Sequence, residues 1–182
     1  MENIKETFVP YLPSLAVFGV SALSLAVAPS LVPSIKKPFG TFTSFYPFYL
    51  SQHAKLGTKL LHAIGTSFVV VTAVREPKLV VALFAAAFSG RAIFPFLRSF
   101  DTGIAEFMTA IVSFYVVGKN LGISNSTLLS VPAFAYSFAW VSHFFYERNT
   151  PATFIYPSYS LVGDFLMFAE LLIGRHWKLD KP

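Results

Sequence analysis

Between Leu60 and Tyr146 the chain returns repeatedly to apolar runs with almost no charge, and this recurrence limits the fold more than any other feature. Four such segments follow one another, Leu60–Val74, Leu79–Leu97, Gly103–Gly118 and Thr127–Tyr146, and an earlier one covers Phe8–Pro33. In lipid every backbone polar group must be satisfied within the segment, so runs of this kind are read as helices. Several fall short of the roughly 20 residues a perpendicular crossing needs, which predicts tilt, local thinning or interfacial ends. Composition agrees: charged residues are 13% of the chain, against about 25% in ordinary soluble domains. The expected fold is all-α, a multi-pass transmembrane helical bundle. It has four core helices, an N-terminal apolar anchor and a C-terminal interfacial helix.

The same reading divides the chain into an anchor and connector (1–44), a membrane-embedded domain (45–174) and a basic tail (175–182). Ala26-Val27-Ala28 looks like a signal-peptide cleavage site, but Glu2 and Glu6 outnumber Lys5, which favours a retained anchor. Pro29, Pro33 and Pro38 with Lys36 and Lys37 predict a rigid polar connector. The aromatic run Phe39–Leu50 suits a segment lying in the interface. Tyr159–Gly174 is interrupted by Asp164 and Glu170 and is expected to lie along the surface. There is no cysteine, which excludes disulfides, zinc–thiolate sites and iron–sulfur clusters. The net charge of +5 is scattered through loops. It fits anionic lipid headgroups in a bilayer, and offers no basic stripe for nucleic acid. Nothing in the sequence sets an oligomeric state.

Chemistry concentrates between Tyr136 and Pro157. On a regular helix Tyr136, Trp140, His143 and Glu147 share one stripe, and Thr150-Pro151 would stop that helix. Taken alone, this is as well explained by a capped ion pair in an aromatic belt. Parity changes the weighing. Three crossings after the segment that begins at Leu60, the chain is back at the face it left, so His53, His62, His143 and Glu147 share one depth. Lys36, Lys37, Lys55, Lys59, Arg98 and Arg148 gather at that face, which makes it cytoplasmic by the positive-inside rule. On one continuous helix His53 and His62 would point apart. Gly57-Thr58 is therefore expected to break the helix between them. Gly65 and Thr66 would let a neighbouring helix come close to His62.

Polar groups at membrane depth are functional hypotheses by default. Imidazoles with a carboxylate suit a non-haem iron centre, though zinc fits the same atoms. Glu147 is open to two roles, direct ligand or orienting group behind a ligand imidazole. Asp164, on the returning loop, is a candidate for the second role, and Tyr156 and Tyr159 could close over the site. Arg91 and Glu106 read as a structural pair, and His176 as a surface residue of the basic tail. Lys55 and Arg148 are positioned to steer a carboxylate.

The blocks F-Y-P-F-Y-L-S-Q-H, L-H-A-I-G-T and A-W-V-S-H-F-F-Y-E-R-N-T-P-A-T-F-I-Y-P-S-Y-S-L-V-G-D-F resemble the 2-hydroxy-fatty-acid dioxygenases of fatty-acid α-oxidation. The likeness runs from about Phe45 to Gly174. It implies a multi-pass endoplasmic-reticulum protein that uses Fe(II) and O2 to shorten a 2-hydroxy fatty acid by one carbon, a step in phytosphingosine breakdown. It also implies that the histidines required for activity, which would hold the metal, are His53, His62 and His143; Glu147 and Asp164 are the catalytic candidates that the residues themselves offer. The competing readings are a di-iron lipid hydroxylase, for which four histidines are too few, and a non-catalytic membrane scaffold or lipid-binding protein.

Overall fold

A computed structural model of the protein describes residues 9–31 and 36–176. Among these, seven α-helices and no strands are found. A short 3-10 turn, Val9–Tyr11, leads into α1 (Leu12–Leu31). Then come α2 (Phe42–Ser51), α3 (Leu56–Arg75), α4 (Lys78–Leu97), α5 (Ile104–Asn120) and α6 (Asn125–Val141). Helix α6 runs on as a π-helical turn, Ser142–Glu147, and a 3-10 turn, Ala152–Phe154, precedes α7 (Pro157–Leu172). The polar start, the part of the connector around Pro33 and most of the basic tail lie outside the described residues.

Three helices are long and apolar enough to cross a membrane: α3, α4 and α6 with its π turn. Helix α1 adds a shorter apolar stretch, Leu12–Ala26. The third predicted crossing, α5, has 17 residues and buries Glu106 in its first turn. It runs back along α4 all the same, because α4 presents Ala82, Ala85, Ala86, Ser89 and Gly90 as a buried small-residue face. Small residues let helix backbones approach where lipid offers no hydrophobic drive. Leu79, Ala86, Phe114, Val117, Leu128 and Val131 form the resulting core. Gly65 does the same for α3 and α6: a Cβ there would meet the Ala135 carbonyl oxygen at 3.3 Å. Helix α1 joins through Phe18, whose ring lies 6.2 Å from those of Phe84 and Phe88, and through Ser14, whose hydroxyl donates to Asn120 Oδ1 at 3.0 Å.

Helix α2, the aromatic segment expected to lie in the interface, packs one face against the rest of the bundle. Thr41 caps it, with a reciprocal bond between Thr41 and Ser44. Phe45 and Tyr49 are then driven into an aromatic cluster with Phe94, Tyr156 and Tyr159. Helix α7 starts beside α4, with Ser158 against Gly90. It passes His62 at Asp164 and ends where Lys59 Nζ donates to the His176 carbonyl at 3.1 Å. It therefore runs across the bundle from α4 to α3.

The break between His53 and His62 exists, five residues earlier in the chain than Gly57-Thr58 would place its start. Helix α2 ends at Ser51, and α3 begins at Leu56 with Lys55 as its N-cap. Gly57 serves a different purpose, since a Cβ there would lie 2.7 Å from Tyr146 Cδ1. Its absence lets the π turn pack onto the start of α3.

Candidate metal centre

Three elements deliver the imidazoles. His53 sits in the turn after α2, His62 in the second turn of α3, and His143 in the π turn that ends α6. All three are buried, at 1%, 5% and 2% exposure. Their ring centroids are 4.4, 4.7 and 5.2 Å apart, each pair nearly perpendicular. One nitrogen from each ring lies within 4.8 Å of the other two.

The π turn explains how His143 reaches this point. Over Ser142–Glu147 the extra residue per turn rotates the side chains out of the stripe a regular helix would form. Arg148 then takes the left-handed conformation, φ 59°, rare for a non-glycine residue. The helix thus stops three residues before Thr150, and the chain folds back so that Asn149 N–H donates to the His143 carbonyl at 3.1 Å.

Each ring is fixed through Nδ1. His53 Nδ1 is 2.6 Å from the Tyr49 carbonyl oxygen, His62 Nδ1 is 2.5 Å from Asp164 Oδ1, and His143 Nδ1 is 2.7 Å from Asn149 Oδ1. The Asn149 amide is itself oriented, its Nδ2 donating to the Gln52 carbonyl and to Gln52 Oε1, both at 3.1 Å. All three facing atoms are acceptors, so each Nδ1 carries a proton and Nε2 is the nitrogen left for an ion. The Nε2 atoms of His53 and His62 are buried without a partner. Burial, reinforced by the neighbouring His62, pushes the His53 pKa well below its ordinary value, which keeps that ring neutral. For Asp164 burial alone would raise the pKa. The adjacent His62 and His53 and the Tyr49 hydroxyl, which donates to Oδ1 at 2.7 Å, outweigh it and hold the carboxyl below the ordinary range.

Three buried imidazoles, each backed by an acceptor, form a donor set suited to a borderline divalent ion such as iron or zinc. With no further protein donor in the cluster among the described residues, such an ion would keep positions for small ligands. The site also has an apolar annex. A partly open cavity begins at His62 and Asp164 and is walled by Val69, Leu83, Ala86, Phe114 and Val131. Val69, Leu83, Leu161 and Phe165 separate it from an apolar groove on the flank of α3 and α4.

Other expected residues lie elsewhere. Glu147 stands outside the imidazole cluster, and its Oε1 accepts the Lys55 N–H at 2.6 Å, which ties the π turn to the start of α3. Lys55 Nζ is held by the Tyr146 carbonyl, and Arg148 is exposed. Tyr156 and Tyr159 are buried in the aromatic cluster. Tyr159 donates to the Gly40 carbonyl at 2.7 Å, and neither ring covers the histidines. His176 is engaged, with Nε2 2.8 Å from Glu170 Oε2. Arg91 and Glu106 make no direct ion pair, since Glu106 Oε1 accepts the Ser158 N–H at 3.1 Å. Asn149 and Tyr49 escape sequence reasoning. The first reads as part of a helix-stopping N-T-P, and the second acts partly through its backbone.

Fold and site together define a helical, membrane-compatible protein with a buried three-histidine centre opening on an apolar cavity. The family model described as 2-hydroxy-palmitic acid dioxygenase Mpo1-like matches residues 39–176, and the chain belongs to that family. By its description the family is one of dioxygenases of a 2-hydroxy fatty acid. No curated protein and no solved structure matches the chain.

Proposed function

We propose that the protein is an Fe(II)-dependent dioxygenase that shortens 2-hydroxy fatty acids by one carbon, in the fatty-acid α-oxidation that serves phytosphingosine breakdown. The observation that carries this reading is the convergence of three buried imidazoles, each with its Nδ1 proton engaged. His53, His62 and His143 would hold the ion. A bound Fe(II) supplies the redox chemistry that couples O2 to cleavage of the C1–C2 bond.

The protein's own groups do the rest. Asp164, Asn149 and the Tyr49 carbonyl fix the rings, sparing the cost of reorganising them when the ion enters. Asp164 stands where the cavity meets His62, with Tyr49 donating to the same oxygen, so it is the carboxylate placed to take or return a proton near the substrate headgroup. Glu147 acts at a distance, keeping the π turn registered on α3. The cavity takes the acyl tail, and its apolar wall keeps water from the reacting end. We place the protein in the endoplasmic-reticulum membrane with the centre toward the cytoplasm, on the strength of the lysines and arginines at that end.

The test is His62→Ala and His143→Ala in the full chain. Both variants should stay membrane-inserted, lose the iron that wild-type protein retains through detergent purification (about one per chain), and yield no odd-chain acid from 2-hydroxypalmitate. Wild-type turnover by either variant would refute the assignment. Zinc in place of iron would refute the redox chemistry.

A further inference from the structure

A second cluster of buried polar groups lies beyond the aromatic wall, away from the histidines. Lys37 is 2% exposed, and its Nζ has no hydrogen-bond partner. It lies 5.7 Å from the ring centre of Phe94 and 5.9 Å from that of Tyr156. Arg91 approaches the same Phe94 ring at 5.3 Å and Tyr159 at 5.7 Å, with its Nη1 buried and unpartnered. Arg98 spends Nη2 on the Lys37 carbonyl at 3.1 Å but leaves Nε buried without a partner. The anion among them is Glu106, 1% exposed, which gives Oε1 to the Ser158 N–H and leaves Oε2 with nothing. Neither Lys37 nor Arg91 is within ion-pair reach of it. The Ser158 hydroxyl is also unpartnered.

A buried cation without a partner is costly, and the distant Glu106 carboxylate does not balance Lys37 with two half-buried arginines beside it. The N-termini of α5 and α7 meet here too, through Glu106 and Ser158, and helix N-termini favour negative charge. Phe94, Tyr156 and Tyr159 make the surroundings apolar, so a charged ligand would be held by few but strong contacts.

We propose that Lys37, Arg91 and Arg98 form a binding site for an oxyanion, a carboxylate or phosphate group, separate from the histidine centre. Lys37 Nζ and Arg91 Nη1 donate to it, the Ser158 hydroxyl completes the contacts, and Glu106 sets the strength by opposing the added charge. A lipid headgroup and a free anion share this chemistry.

Native mass spectrometry of the delipidated full-length protein tests it, with dioleoylphosphatidic acid, dioleoylphosphatidylcholine and inorganic phosphate as probes. Phosphatidic acid should bind in preference to phosphatidylcholine. Competition by inorganic phosphate identifies a free-anion site, and binding of the lipid alone identifies a headgroup site. Lys37→Met with Arg91→Met should weaken binding about tenfold or more, the scale of lost charged hydrogen bonds. Glu106→Gln should strengthen it, which keeps the proposal testable if the double variant does not fold. Iron content, measured alongside, stays at the wild-type level and separates this site from the histidine centre. Equal binding by wild type and the double variant, no effect of Glu106→Gln, or no anion bound at all would overturn the proposal, leaving a cluster that holds only water.

Discussion

At the scale of single residues, the histidines owe their character to their partners. Asp164 is the sharpest case, because one of its oxygens serves both His62 and Tyr49. In Asp164→Asn the amide can present either an oxygen to His62 or an NH2 to it, and the negative charge behind the ring is gone. Iron affinity should fall by about 10–100-fold, the usual effect of removing such a support, with helix content unchanged by circular dichroism. Iron titration of the detergent-solubilised variant measures it, and an unchanged affinity would remove Asp164 from the centre. His62, His143 and Asp164 stand out in the sequence because histidine and carboxylate are out of place in apolar helices, and His53, in a turn, is reached through the parity of the crossings. Asn149 and Lys37 are not. Each stands among ordinary loop polar residues, and only the folded chain shows the first against an imidazole and the second buried.

At the scale of elements, the sequence carries the helices well, because their apolar runs are long and bounded by Pro, Gly and charge. The segment expected at Leu79–Leu97 is α4 to within a residue. It carries poorly what happens at helix ends. A π turn has no hydrophobic period of its own, so Tyr136, Trp140, His143 and Glu147 read as one stripe, while the structure parts His143 from Glu147. Likewise Gly57 reads as a break, whereas it makes room for the Tyr146 ring. The cavity between α3, α4, α5 and α6 sets an expectation of its own. Ala86→Phe fills the cavity and should shift the preferred substrate to shorter 2-hydroxy acids. Leu83→Ala opens it to the outer groove and should improve turnover of longer ones. Relative kcat/KM across a chain-length series reads the change, and an unaltered profile in both variants would place the acyl tail elsewhere.

At the scale of the molecule, parity brings the histidines together: the four passes from the start of α3 to the end of α6, an even number, return the chain to one end of the bundle. That holds although α5 is shorter than the helices it joins, since it still runs back along α4. The argument fixes which loops share a side, and the absence of cysteine makes this direct to test. Single cysteines at Arg148, at the histidine end, and at Lys78, at the opposite end, need no background to be removed. In sealed endoplasmic-reticulum vesicles with the cytoplasmic surface outward, an impermeant maleimide should label the first and spare the second until detergent is added. The reverse pattern would invert the protein and put its chemistry in the lumen.

One further point follows from where the three imidazoles originate. They come from three separate stretches of chain, the turn after α2, the second turn of α3 and the end of α6, so a divalent ion seated among them is also a rivet. Loading it would fasten the bundle's first and last long crossings at their shared mouth. Starving the cell of that ion would then cost the protein its mechanical closure together with its chemistry.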